Sequence, residues 1–75
     1  MKFNEITENI GKKCKVLPYG DLGMERRYRK YLHTDKEPVE IIRKTKGGLI
    51  LCKDKDGLEL IFPFRNLELL EKNNL

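Results

Sequence analysis

Two turn signals lie within ten residues of each other and leave this chain little freedom. Gly47-Gly48 and Asp54-Lys55-Asp56-Gly57 both accept the positive φ that tight turns require. Each is flanked by apolar runs too short for a helix and right for a strand. Before the first, Val39 and Ile41 alternate with Glu40, and the run 38–46 ends in Arg43, Lys44 and Lys46. Between the two stands Leu49-Ile50-Leu51-Cys52, apolar at every position. After the second, Leu58, Leu60 and Phe62 alternate with Glu59, Ile61 and Pro63 over 58–63. Residues 38–63 therefore read as a three-stranded antiparallel meander.

Two more strands flank it. In 12–18, Lys13 and Lys15 alternate with Cys14 and Val16, giving a half-buried strand with one cationic face that Pro18 ends. Phe64-Arg65-Asn66 reads as a single tight turn. Leu67, Leu69 and Leu70 then form a short fifth strand, and residues 71–75 read as a frayed tail.

Helical periodicity occurs twice. Phe3, Ile6 and Ile10 mark a helix over 4–10, with Asn4 as its cap and Gly11 as its end. It is about two turns long and needs a surface to dock on. The long connection 19–37 opens with Tyr19-Gly20-Asp21-Leu22-Gly23. Within it, Met24, Tyr28, Tyr31 and Leu32 recur at helical spacing, so 24–32 reads as an amphipathic helix whose other faces carry Arg26, Arg27, Arg29 and Lys30.

Five short strands, a long first connection, two tight hairpins and a one-turn link before the last strand form a pattern. It resembles the small SH3-like barrel shared by KOW and Tudor-type domains, over residues 11–71. The resemblance implies a mainly β fold: a five-stranded barrel over 12–71, a short N-terminal helix, and a helical insertion at 19–37. A Tudor-type aromatic cage would fall to Tyr19, Tyr28 and Tyr31. The alternative fold is a small α+β domain, the 38–62 meander packed on two helices. The expected core is Ile6, Ile10, Cys14, Val16, Val39, Ile41, Leu49, Leu51, Leu60, Phe62 and Leu67, with Leu69 or Leu70.

Size and composition narrow the function. The 75 residues form a single domain, 1–75, 39% hydrophobic and 37% charged, which suits a small folded core. No apolar run is long enough to span a membrane, and the basic segment 24–32 is too short for stable membrane binding. Met1 to Gly11 does not read as a secretory leader, so a reducing, cytoplasmic setting is expected, with Cys14 and Cys52 as free thiols. A structural zinc site needs four ligands, and His33, Cys14 and Cys52 have no recognised spacing. A Cys–His nucleophile would need an exposed thiol, whereas both cysteines alternate with apolar neighbours. Asp54 and Asp56 flank a turn, and their ordinary role is to make it. The expectation is a non-enzymatic protein with no cofactor.

Charge carries the strongest functional signal. Residues 1–46 hold 12 basic and 7 acidic side chains, while residues 47–75 hold 4 and 5, so the cationic surface belongs to the first half. Candidate contact residues are Lys13 and Lys15; Arg26, Arg27, Tyr28, Arg29, Lys30 and Tyr31; and Arg43, Lys44 and Lys46. In a barrel, Lys13/Lys15 and Lys44/Lys46 are expected to share a face. Guanidinium groups grip phosphates in pairs and tyrosine rings stack on unpaired bases, so nucleic acid, RNA or DNA, is the leading partner. The alternative is an acidic protein surface, contacted through the large side chains Tyr19, Met24, Tyr28, Tyr31 and Leu32. Small basic proteins of this type include phage products that inhibit host factors. The expected state is a monomer or weak homodimer.

Overall fold

The computed structural model describes residues 2–20, 26–32, 34 and 36–70. Met24, His33, the Asp21–Gly23 part of the loop and the 71–75 tail lie outside the described residues. Five strands form: β1 (Lys13–Val16), β2 (Val39–Lys44), β3 (Leu49–Asp54), β4 (Glu59–Pro63) and β5 (Leu67–Leu69). All neighbours are antiparallel, in the order β4-β3-β2-β1-β5. The fold is thus mainly β, a single open sheet.

The expected barrel does not close. β4 and β5 end the sheet and are not paired with each other. β1 meets β2 only at Lys13↔Glu40 and Cys14↔Val39, and Val16 then bridges Leu32 of the insertion instead. The insertion does the covering that a closed sheet does with strands. Tyr28, Tyr31 and Leu32 are all buried, and they supply three of the twelve residues of the core cluster. Both tyrosine rings pack on Phe62, with centroids 5.2 and 6.2 Å away.

The helical expectations are corrected in form. Residues 4–10 make two 3-10 turns, Phe3–Glu5 and Thr7–Asn9, instead of one helix. Two turns cannot pay for their own nucleation, and tertiary contacts decide the path: Ile6 is buried and Phe3 packs on Phe64 with rings 5.6 Å apart. Glu5, not Asn4, caps the first turn, accepting from the Lys2 N–H at 2.9 Å. The described part of the insertion, Arg26–Tyr31, is likewise a 3-10 segment.

The strands alternate about a clear inner face, made by Cys14, Val16, Val39, Ile41, Ile50, Cys52, Phe62 and Leu67. In β3 the expected phase is reversed. Ile50 and Cys52 point inward, while Leu49 is 37% exposed. Four consecutive apolar residues hold no phase information; pairing Ile50 with the buried Phe62 sets it. Ile10 is 50% exposed, and Leu51, Leu60 and Leu69 are only partly buried. In β2 a bulge between Ile41 and Arg43 shifts the register. Without it the 39, 41, 43 parity would bury Arg43. With it, Arg43 turns outward and Lys44 comes to lie 4.7 Å over the Phe3 ring.

One polar cluster ties the insertion to the sheet. The Tyr31 hydroxyl donates to Asp54 Oδ2 at 2.7 Å. Asp54 Oδ1 accepts the Asp56 and Leu58 N–H groups, each at 2.9 Å. Gly57, at φ 89°, completes the turn. The Tyr31 hydrogen bond holds the Asp54 carboxyl below its ordinary range, outweighing the opposing effect of burial. Burial, then Asp54, raises the Tyr31 hydroxyl well above its ordinary value.

As pH falls, the unfolded chain therefore takes up the Asp54 proton first, and stability is lost from the ordinary carboxylate range downward. Tyr31→Phe should lower the melting temperature by several degrees at neutral pH. The gap from wild type should shrink as pH drops below the ordinary carboxylate value. A gap that stays constant to low pH in thermal melts would refute this role.

Candidate functional site

The strand lysines do not make a free cationic face. On the outer side of the sheet, Lys13, Glu40, Lys53 and Glu59 fall in one row across β1 to β4. Charges alternate along it, an arrangement that stabilises the register by roughly 0.2–1 kcal/mol per pair. Lys15 pairs with Glu68 of β5 at 3.4 Å. Nor do Lys13/Lys15 share a face with Lys44/Lys46. Lys44 lies opposite Ile50, beyond the bulge and against Phe3, while Lys46 is exposed at the Gly47-Gly48 turn. Arg43 is exposed, and its Nη1 donates to the Lys44 carbonyl at 3.3 Å.

The insertion divides cleanly. Arg26, Arg27, Arg29 and Lys30 are exposed, and no carboxylate occurs between Arg26 and Leu32. Tyr28 and Tyr31 are 8% and 2% exposed, so their rings serve the core and are withdrawn from any stacking role. Arg27 and Lys30 lie over those rings, 4.9 and 5.3 Å from the centroids. The side chains expected to act together are thus split: cations outside, aromatics inside.

Beyond the charged row the outer face becomes apolar. Leu51 pairs with Ile61, and Leu49 with Pro63. Beside them opens a groove of about 500 Å³, lined chiefly by Tyr19, Arg27, Leu49, Ile61, Pro63 and Arg65. Of the five exposed large apolar side chains among the described residues, three (Tyr19, Leu49 and Ile61) converge here. Two guanidinium groups flank the groove, and none of its lining residues is a carboxylate. A second hollow of about 390 Å³ shares Arg27, Tyr28 and Ile61 with it and extends to Glu59 and Leu60.

Asn66 builds the groove. It is 2% exposed, and its Nδ2 donates to the Leu17 and Tyr19 carbonyls at 2.6 and 3.0 Å. Its own carbonyl accepts the Leu17 N–H at 2.7 Å. One side chain thereby staples the start of the long loop to the turn before β5, placing Tyr19 beside Arg65. Sequence reasoning placed Arg65 and Asn66 only in a turn. The available signal was an asparagine in a one-turn link, whose amide can satisfy loop carbonyls.

The remaining candidates for chemistry are structural. Cys14 and Cys52 are free and fully buried, and burial pushes both thiols up to about 12. The Asp54 carboxylate shapes the hairpin, and Asp56 contributes its main-chain N–H to it. Among the described residues no three metal-ligating side chains converge. Comparison with family models, curated proteins and solved structures finds no match for this chain.

Two expectations follow. Asn66→Ala should cost about 1–3 kcal/mol, because two loop carbonyls lose a buried donor; an unchanged denaturation midpoint would contradict the staple. A disulfide-exchange reagent at neutral pH should label neither cysteine in the native protein and both in denaturant, since the reactive thiolate is suppressed by burial. Fast native labelling would show that the inner face opens.

Proposed function

We infer that this protein is a non-enzymatic binding module that holds an acidic protein segment in the groove beside β4. The observation that carries this reading is the convergence of Tyr19, Leu49 and Ile61 between Arg27 and Arg65, in a lining without carboxylates. Apolar area supplies affinity, and guanidinium groups select for carboxylates by paired hydrogen bonds. The buried tyrosines and the charge-matched strand face move weight from a stacking, phosphate-tracking surface toward this one. The strand order, the long first connection and the 3-10 link Phe64–Asn66 support an SH3-like barrel reading of the fold, with the insertion in place of barrel closure.

A second reading keeps a specific observation. Arg26, Arg27, Arg29 and Lys30 are exposed together on one short segment, which suits a nucleic-acid backbone.

One titration separates the two. Labelled peptide alternating glutamate with valine, single-stranded RNA, single-stranded DNA and duplex DNA are compared by anisotropy at low and near-physiological salt. Peptide binding that survives the higher salt is expected, weakened about tenfold by Arg27→Ala or Arg65→Ala. Oligonucleotide binding lost in the Arg26/Arg29/Lys30→Ala variant, with no peptide binding, assigns the surface to nucleic acid instead.

A further inference from the structure

We propose that the groove accepts its partner by strand addition: an extended, acidic peptide pairs with the open edge of β4. This rests on the reading of the groove as a site for an acidic protein segment, and it goes further by naming the main-chain groups that do the binding.

β4 is the terminal strand of the sheet. Its hydrogen-bonding parity follows from the hairpin. The Asp54 N–H donates to the Leu58 carbonyl at 2.9 Å, and the register then runs Cys52↔Leu60 and Ile50↔Phe62. In an antiparallel pair the bonded positions alternate, so Leu58, Leu60 and Phe62 direct their main-chain groups at β3. Glu59, Ile61 and Pro63 direct theirs away from it. The N–H and carbonyl groups of Glu59 and Ile61 form a free edge, while the Pro63 carbonyl opens the 3-10 turn Phe64–Asn66. Among the described residues no backbone group outside the ladder bonds to those of Glu59 and Ile61.

The two hollows lie along this edge, not across it. One reaches from Glu59 to Ile61 and the other from Ile61 to Pro63, and Arg27 and Tyr28 wall both. Space for a strand and unpaired strand donors therefore coincide. Exposed edges are ordinarily guarded, and here Pro63 lacks an N–H and Glu59 is charged. Those guards leave the N–H and carbonyl groups of Glu59 and Ile61 as one antiparallel pairing site.

Charge decides the occupant. The wall facing the edge carries Arg27, its segment adds Arg26, Arg29 and Lys30, and Arg65 stands at the far end. A second copy pairing here would bring two such cationic segments together. An extended peptide with alternating carboxylates meets them with the opposite sign, while its apolar side chains reach Leu49 and Ile61. Such pairing draws affinity from the main chain and specificity from alternate side chains.

The test uses the full chain labelled for amide hydrogen exchange and the peptide alternating glutamate with valine. Two further peptides are N-methylated, one at every glutamate and one at every valine. Strand addition predicts new protection at the Glu59 and Ile61 amides. It also predicts a loss of affinity of tenfold or more for only one methylated peptide, the one whose donors face β4. Binding weakened by Arg27→Ala but equal for both methylated peptides, without protection at Glu59 and Ile61, overturns strand addition and leaves the groove reading standing. Protection that grows with protein concentration alone gives the edge to a second copy and overturns the proposal. No peptide binding up to millimolar concentration, with or without oligonucleotide binding, overturns both.

Discussion

The Tyr31 hydroxyl donates to Asp54 at 2.7 Å across the mouth of an open sheet, and much of the architecture depends on that contact. Five short strands make a face that they do not cover by curling shut. The insertion covers it, and it has to be held in place. Asp54 is suited to hold it because its other oxygen already accepts two amides of the β3–β4 hairpin. One carboxylate therefore shapes a turn and anchors the lid. With Tyr31 fixed, Tyr28 falls against Phe62 and Leu32 against Val16. The segment's cations are then left with no direction but outward.

The same division of labour arranges the charge. A chain with 16 basic residues looks cationic throughout, yet much of that charge is matched locally. Lys13, Glu40, Lys53 and Glu59 alternate across four strands, and Lys15 meets Glu68. Such pairs favour one register over its neighbours, because a slip of one residue turns every side chain to the other face. Arg26, Arg27, Arg29 and Lys30 of the insertion stay exposed. Arg27 and Arg65 come from distant parts of the chain and meet at the groove, brought there by the amide of Asn66.

The groove also has a cost that explains its boundaries. Leaving Tyr19 and Ile61 about half exposed forgoes burial in a chain too short to have much to spare. The charged row confines that apolar surface to one half of the sheet. Pro63 and Glu59 bracket the adjoining edge, which limits indiscriminate strand pairing. Exposure is thereby concentrated where main-chain donors, apolar side chains and guanidinium groups lie together.

The turns and alternations alone determined the five strands and their approximate limits. Gly47-Gly48 and Asp54–Gly57 admit few other paths, and patterns such as Lys13-Cys14-Lys15-Val16 state which side faces in. Where alternation is absent, the sequence has no phase to read. In Leu49-Ile50-Leu51-Cys52 it is the pairing of Ile50 with Phe62 that turns Ile50 inward and leaves Leu49 exposed, against the expectation for Leu49 and Leu51. The helical spacing of Tyr28, Tyr31 and Leu32 marked an apolar stripe, but not what it would cover. Tertiary structure alone decided that those rings enter the core, that the sheet stays open, and that Lys13 and Lys15 are matched by Glu40 and Glu68. It also decided that Tyr19, Arg27, Ile61 and Arg65 meet. Each outcome depends on contacts between residues far apart in the chain, and local propensity and periodicity carry no information about which distant partners a face will find.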